Sequence, residues 1–399
     1  MKKYDVIVVG GGPIGSCTAR KISKKGHTVA ILEKNKKTGQ NLKCAGLVTQ
    51  RVIDLADSSS KKFIQNEIKG ANIHSPSKNI LKIGGNKTHA IVINRIKFDR
   101  ELAKEAEKNN VDILLGNNVK KIDKIKNTVS IKTSNRKSYS CKILIGADGP
   151  HSITRKHFNL PEPKEFLTGV GAEVTNCCVD PDFVEIFVGA NIAPGFFAWI
   201  IPTNEDGTKA RIGLCTSRES LEPSTYFFKH FMKSKRTESF LKNARVTRKI
   251  GGTIPLGILK KTYDDNVLIV GDAASQIKPT SGGGLYPGLT SADYCSYVVD
   301  QALKKYNYSA NFLKNYHKLW TKHIGKEISK AMAFRSIYRR LTDDQFDKYI
   351  LKFQDPKILD IINKYGDIDF PSKLSGPILK KSPSLLKLGP SVIKNKRLF

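Results

Sequence analysis

The sequence predicts an α/β protein in which a Rossmann-like dinucleotide-binding domain carries a mostly β substrate domain and a helical C-terminal part. Three observations predict it. Within the first 33 residues a buried strand pattern meets a glycine-rich turn, a helix and a second strand. Short strands punctuated by Pro, Gly, Asn and Asp fill the middle of the chain, and helical periodicity dominates from about residue 308. At 399 residues the chain is long enough for two or three such units.

The elements follow in order. Val6, Ile7, Val8 and Val9 form a short buried strand, Gly10 to Gly15 break it, and Ala19 and Ile22 continue at helical spacing. Val29 to Leu32 then give a second buried strand ending at Glu33, which completes a βαβ unit. Residues 95–109 are helical by period, with Phe98, Leu102 and Ala106 on one face and Asp99 near the positive end of the helix dipole. A strand over 142–147 ends at Asp148-Gly149. Strands over 183–188, 196–201 and 208–215 belong to a β insert between about 168 and 255. A last buried strand, 267–270, leads into Gly271-Asp272, a glycine cluster and a helix from about 284. The expected division is a discontinuous nucleotide-binding domain at 1–165 and 255–305, which also carries inserted strands 65–93 of the substrate region. A β-rich substrate domain at 166–254, a helical region at 306–370 and a basic tail at 371–399 complete it.

Charge narrows the partners. Lys and Arg total 68 against 36 Asp and Glu, a formal net charge of +32, which favours an anionic partner. The tail holds four prolines, seven basic residues and no acidic one; Leu374, Ile378, Leu379, Leu385, Leu386 and Leu388 are available to a bilayer surface or to the protein itself. No stretch reaches the roughly 18 apolar residues of a spanning helix, so the chain is expected not to cross a membrane. Seven cysteines without a C-x-x-C pair fit reduced thiols in a cytoplasmic setting. Cys177 and Cys178 are adjacent, the eight histidines show no H-E-x-x-H pattern, and no metal is expected. G-x-S-x-G and the Walker A loop are absent. Nucleic acid is not expected either, because no zinc finger, RNP stretch or basic reading helix accompanies the charge.

The glycine turn carries the chemistry. Gly10-Gly11-Gly12-Pro13-Ile14-Gly15 fits G-x-G-x-x-G between a strand and a helix. Gly10 permits the tight turn, Gly12 lets a pyrophosphate approach the backbone, and Gly15 lets helix and strand pack closely. The helix N-terminus offers amide hydrogens to the phosphates, and Glu33 is placed to accept hydrogen bonds from ribose hydroxyls. A dinucleotide is the expected ligand. Its identity is indicated by 266–274, Asn-Val-Leu-Ile-Val-Gly-Asp-Ala-Ala, followed by Pro279 and Ser281-Gly282-Gly283-Gly284-Leu285 opening a helix. An NAD enzyme has no need of this segment. It resembles the flavin-contacting segment of the FAD-linked hydroxylase superfamily, which implies FAD, with Asp272 on the ribityl chain and Gly283, Gly284 and Leu285 at the flavin pyrimidine edge.

Further motifs extend the resemblance. Ile143 to Ser152, with Arg155 after it, is similar to the third fingerprint of that superfamily and implies that Asp148 and Gly149 lie beside the cofactor. Asn94-Arg95-Ile-Lys-Phe98-Asp99 resembles its Arg-x-x-Phe-Asp helix start, in which the arginine, here Arg95, faces the nucleotide. The same resemblance implies cofactor contacts at Ile14 and Val119, and a fold of the hydroxylase and glutathione reductase type. Lys43-Cys44-Ala45-Gly46-Leu47 resembles the Cys-x-Gly motif of the geranylgeranyl reductase family. Phe197-Ala198-Trp199-Ile200-Ile201-Pro202 resembles that family's Tyr-x-Trp-x-Phe-Pro substrate motif, with Phe197 for Tyr and Ile201 for Phe. The match covers roughly residues 3–300.

That resemblance implies an FAD-dependent reductase of isoprenoid double bonds, acting on geranylgeranyl chains of an archaeal-type ether phospholipid. Cys44 is the catalytic candidate, because a thiol next to a flavin can donate a proton or tune the ring. Cys44, Ala45, Gly46 and Leu47 are expected at the flavin, and Phe197, Trp199, Ile201 and Pro202 in the substrate wall. Only one dinucleotide fingerprint is present, so electrons are expected from transiently bound NADPH or from a ferredoxin-like protein. An anionic membrane surface fits the charge, since each lysine near one contributes about 1 kcal/mol of attraction, and a peripheral position on the inner face of the membrane follows. The rival expectation is a flavin monooxygenase or halogenase, because halogenases carry Trp-x-Trp-x-Ile-Pro.

Overall fold

The computed structural model describes residues 1–40 and 44–381. A central sheet runs in the order Tyr263–Asp264, Val267–Ile269, Ser138–Gly146, Lys2–Val9, Val29–Glu33, Val111–Leu115. All neighbours are parallel except the first pair. Parallel strands are covered on both faces, so their central stretches, residues 6–9, 29–32 and 143–145, are apolar and buried. Val6 and Val8 face helices Pro13–Ser23 and Leu285–Lys304, with Ala19, Ile22, Val298 and Val299 in one cluster. Ile7 and Val9 face the other way, against Val129, Ile131 and Leu144. Trp320 closes the first cluster, fully buried, and its indole N–H donates to Thr262 Oγ1 at 3.0 Å.

Ser138–Gly146 begins four residues before the expected strand. Its polar first half pairs antiparallel with Thr128–Thr133, itself the partner of Val119–Ile125, so backbone pairing rather than hydrophobic pattern fixes its start. The other expected strands recur within two residues, as Phe183–Val188, Phe197–Pro202, Lys209–Ser217 and Val267–Ile269.

The second sheet runs Arg245–Leu256, Glu165–Thr175, Lys209–Ser217, Phe197–Pro202, Phe183–Val188, Gly70–His74, Ile80–Gly84. Its last two strands come from the first quarter of the chain, and Gly70–His74 joins Phe183–Val188 in parallel. One face packs Ala198, Ile200, Ala210, Ile212 and Leu214 under Phe231 and Leu241 of the short helices Ser224–Met232 and Glu238–Leu241. The opposite face carries residues 197, 199, 201, 211, 213 and 215, because successive side chains of a strand alternate. A third sheet of Leu47–Val48, Ala90–Ile93 and Ile64–Ile68 joins the two large ones.

Helices Ala310–Trp320, Lys326–Tyr338, Asp343–Phe353 and Pro356–Tyr365 make up the helical region. The start of the basic tail is not a loose arm. Residues Pro371–Leu374 form a 3-10 turn and Ser375–Lys381 a helix; the Ser372 amide and hydroxyl donate to Glu327, and Leu374 and Ile378 are half-buried. Lys43, the Leu379 side chain, Leu385, Leu386 and Leu388 lie outside the described residues. Among the described residues no helix is long and apolar enough to cross a membrane, no cluster suits a metal ion, and the seven cysteines are free thiols.

Candidate functional site

The site lies at the C-terminal ends of the parallel strands, where helix N-termini gather. Gly10 takes a φ of +105°, and a Cβ there would meet the Ala147 carbonyl oxygen at 2.4 Å, so the turn admits only glycine. A Cβ on Gly15 would meet Gly10 O at 2.0 Å, which is the close helix–strand approach. Gly12 differs: nothing lies within 4 Å of where its Cβ would point. It caps a helix that has no side-chain cap and no acidic residue in its first turn. Open space over a positive helix end is the shape and charge a pyrophosphate needs, so the residues present fit FAD.

Glu33 is more occupied than expected. Its carboxylate accepts from the Gly11 amide at 2.8 Å and from the Asn35 amide and side chain at 2.8 and 2.6 Å. It braces the glycine turn and keeps about one of its four lone-pair directions for a ribose hydroxyl. Asp148 likewise points into its own loop, accepting from Ser152 Oγ at 2.5 Å and from the Thr154 amide and hydroxyl at 3.0 and 3.1 Å. The neighbouring Gly149 is half-buried, and nothing lies within 4 Å of where its Cβ would point. Arg155, fully buried, ties the loop to the Gly-Asp segment by donating to Pro150 O and Ala273 O. Ile14 makes a second tie, wedged against Gly271 and Gly288. Asp272 lies against Gly284, a Cβ on which would meet its Oδ1 at 2.9 Å. Gly283 packs on the Lys278 side chain, and Leu285 turns into a core with Cys17, Val48 and Phe98.

Val119 does not join this cluster through its side chain, which is buried with Tyr4, Ile7 and Tyr139 on the far side of the sheet. Strand alternation turns it inward, leaving only its backbone for a ligand.

Cys44 sits in a self-bonded turn: the Gly46 amide donates to its Sγ at 3.4 Å, and Gly46 has a φ of +76°. Two guanidinium groups lie within electrostatic reach of the sulfur. Arg95 forms a bidentate pair with Asp99, at 3.0 and 3.2 Å. Burial works against its charge, but Asp99 and then Cys44 hold its pKa above the ordinary guanidinium value. Arg211 was not anticipated. Burial lowers its pKa, and Glu173 and Cys44 offset part of that. It donates to Ala45 O at 2.9 Å, Ile93 O at 2.8 Å and Glu173 at 3.1 Å, and also to Gln65. The sequence signal was an arginine inside an otherwise apolar strand. Nearby, burial pushes the Cys215 thiol up to about 12, so it stays neutral.

Arg211 thus fastens the Cys44 turn to the second sheet. Replacing it with methionine leaves buried carbonyls without donors, which costs about 1–3 kcal/mol for each group. R211M is expected to lose about 2–4 kcal/mol of stability, read as a lower urea midpoint at unchanged slope, and R211K less. An unchanged midpoint would contradict this role.

Phe197, Trp199 and Ile201 share one face of their strand. Phe197 stacks on Phe196 at 4.3 Å and meets Trp199 edge-on at 6.1 Å. The Trp199 indole lies over Gly213, where a Cβ would meet its Cζ2 at 2.6 Å. Ile201 is buried beside Val92 and Val184, and Trp199, Ala45 and Leu47 pack against that cluster. Trp199 also reaches the cluster containing Ile277, which precedes the glycine run. Pro202 departs from the expectation: alternation sets it on the opposite face, with Ala198 and Ile200.

Residues 3–296 match the FAD binding domain family. The chain is 35% identical to MJ1520, an uncharacterized protein of Methanocaldococcus jannaschii, over 94% of this chain and 95% of that one. It is 30% identical to a digeranylgeranylglycerophospholipid reductase of Methanococcus vannielii, over 97% of each chain. A geranylgeranyl bacteriochlorophyll reductase-like protein of Thermoplasma acidophilum superposes over 100% of both chains with a TM-score of 0.86 at 25% identity. The flavin-dependent brominase Bmp2, at 16% identity, a TM-score of 0.73 and coverage of 96% and 100%, shares the fold alone.

Proposed function

We propose, from the premise that this chain belongs to the geranylgeranyl reductase family of FAD-dependent oxidoreductases, that it saturates the geranylgeranyl double bonds of digeranylgeranylglycerophospholipids in archaeal-type lipid biosynthesis. One observation carries the reading: a single thiol turn, Cys44 to Leu47, is packed against an apolar wall of Trp199 and Ile201 at the edge of the nucleotide cradle. Bound and reduced, FAD supplies a hydride to one alkene carbon. The chain's own residues do the rest. Phe197, Trp199 and Ile201 hold the isoprenoid and exclude water. Cys44 gives the proton to the other carbon and regains one from solvent, so two hydrogens are added across the double bond. Arg95 lies beside the sulfur that gives up the proton.

A positioned general acid contributes about 10²–10⁴-fold. C44A is therefore expected to keep its flavin and to slow anaerobic reoxidation of reduced flavin by a prenyl lipid by at least about a hundredfold, with C44S in between. Reoxidation at the wild-type rate would remove Cys44 from the reaction. The family resemblance of Trp199-Ile200-Ile201-Pro202 to the halogenase motif supports a second reading, a flavin monooxygenase or halogenase. Oxygen-dependent NADPH consumption with a hydroxylated or halogenated product would decide for it.

The remaining partners follow from charge. At +32 the chain suits an anionic membrane, where its substrate resides, and a peripheral position on the inner face. Transiently bound NADPH or an acidic ferredoxin-like protein supplies the electrons. Anionic vesicles are expected to sediment the protein at low salt and release it at high salt. Absence of binding at low salt would contradict the membrane assignment.

A further inference from the structure

A buried carboxylate from the C-terminal region reaches into the flavin site from outside the matched family segment. The segment after helix Pro356–Tyr365 lays Asp369 between two pieces of chain that sequence separates widely. Its Oδ1 pairs with Lys278 Nζ at 2.7 Å, with side-chain exposures of 1% and 9%. Its Oδ2 accepts from Thr49 Oγ1 at 2.6 Å and from Arg51 at 3.2 Å.

Each partner belongs to the site. Lys278 closes the glycine turn: its amide donates to Gly283 O at 3.1 Å, its carbonyl accepts from the Gly282 amide at 2.9 Å, and its side chain packs on Gly283. Thr49 stands five residues after Cys44 and caps helix Gln50–Ala56. Around this pair, Arg51 binds Asp367 through two nitrogens at 2.8 and 3.0 Å, and Lys373 adds a third contact at 3.0 Å. Phe370 sets its ring edge-on to Tyr286 at 5.6 Å, and Lys278 Nζ also donates to Ile368 O at 3.1 Å. Apolar packing alone would seat the segment. A carboxylate buried this deeply with three donors instead fixes one arrangement, because removing one partner strands the others.

We propose that Asp369 is a positioning residue, a clasp through which the C-terminal segment holds the Lys278 glycine turn and the Cys44–Thr49 segment in register for FAD. The proposal rests on the flavin reading of the glycine turn. Wild-type FAD retention tests that reading by itself, and the ratio of variant to wild type tests the clasp.

The experiment uses the full chain, with amide hydrogen exchange and FAD titration on D369N and D369E. In D369N, exchange of residues 279–284 and of 44–49 is expected to rise together, and the FAD Kd to rise by about tenfold or more. D369E, which restores the charge, is expected to recover most of both. Faster exchange confined to 366–374, or an unchanged Kd, would overturn the proposal. Should D369N fail to fold, T49V, which exchanges the donating hydroxyl for a methyl, is expected to speed exchange at 44–49 while 279–284 stay protected. Unchanged exchange at 44–49 in T49V would overturn the proposal as well.

Discussion

A G12D variant is expected to fold and to carry no flavin. Gly12 has a φ of −73° and a ψ of 178°, extended backbone that any residue adopts, and its Cβ direction is open. An aspartate there suits the helix dipole, so the fold loses nothing. Its carboxylate, however, occupies the space over the helix N-terminus that a pyrophosphate needs. Two like charges about 4 Å apart repel by about 4 kcal/mol at an effective dielectric of about 20, which is roughly a thousandfold in Kd. The purified protein is expected to be colourless, with native circular dichroism and a native urea midpoint. G15A is the contrasting case, because its Cβ would meet backbone at 2.0 Å and disturb the turn itself. A yellow G12D protein with normal FAD affinity would place the pyrophosphate elsewhere.

Trp199→Glu is expected to abolish turnover of long prenyl chains while leaving FAD bound. The indole spans the apolar clusters on both sides of the wall, from Ile201 to Leu256 and Ile277. A carboxylate in that position either stays charged in apolar surroundings or draws water into the space the alkene needs. A penalty of about 3 kcal/mol already corresponds to more than a hundredfold loss in kcat/KM. W199F keeps an aromatic face and is expected to retain most activity. The control is flavin absorption near wild type; the urea midpoint of W199E is expected to fall because the indole packing is lost, and W199F, which keeps an aromatic ring there, separates that loss from the loss of turnover. If W199E reduced long chains at the wild-type rate, the wall would not hold substrate.

Much of this was legible in the sequence because it rests on local rules. The first βαβ unit, the glycine turn and the helix after Gly284 are short-range patterns in which each residue type answers a steric demand, and they stand where the spacing set them. The strand over 197–202 was legible by its apolar run, but its two faces were not separated. Alternation removes Pro202 from a wall that a linear motif includes. What escaped was long-range. The hairpin Val119–Ile125 and Thr128–Thr133 is a polar, lysine-rich stretch whose pairing fixes the start of Ser138–Gly146. Arg211 reaches Ala45 across 166 positions, and Asp369 reaches Thr49 across 320. No periodicity encodes such contacts; the only trace was a charge in an apolar setting. Glu33 and Asp148 show the converse, since both stand at the ends of the expected strands yet direct most of their hydrogen bonds to their own loops.

The most direct test of the central claim is anaerobic. The yellow protein, reduced with dithionite in D2O, is mixed with a digeranylgeranyl glycerophospholipid, and the lipid is analysed by mass spectrometry as the flavin absorption returns. The account predicts stepwise addition of two hydrogens per double bond. Both of each pair are expected to be deuterium, because the reduced flavin and Cys44 are each loaded from solvent in D2O, and the hydrogen count is expected to match the flavin reoxidised. Flavin that stays reduced beside an unchanged lipid, in a protein that holds FAD, would contradict the reductase assignment.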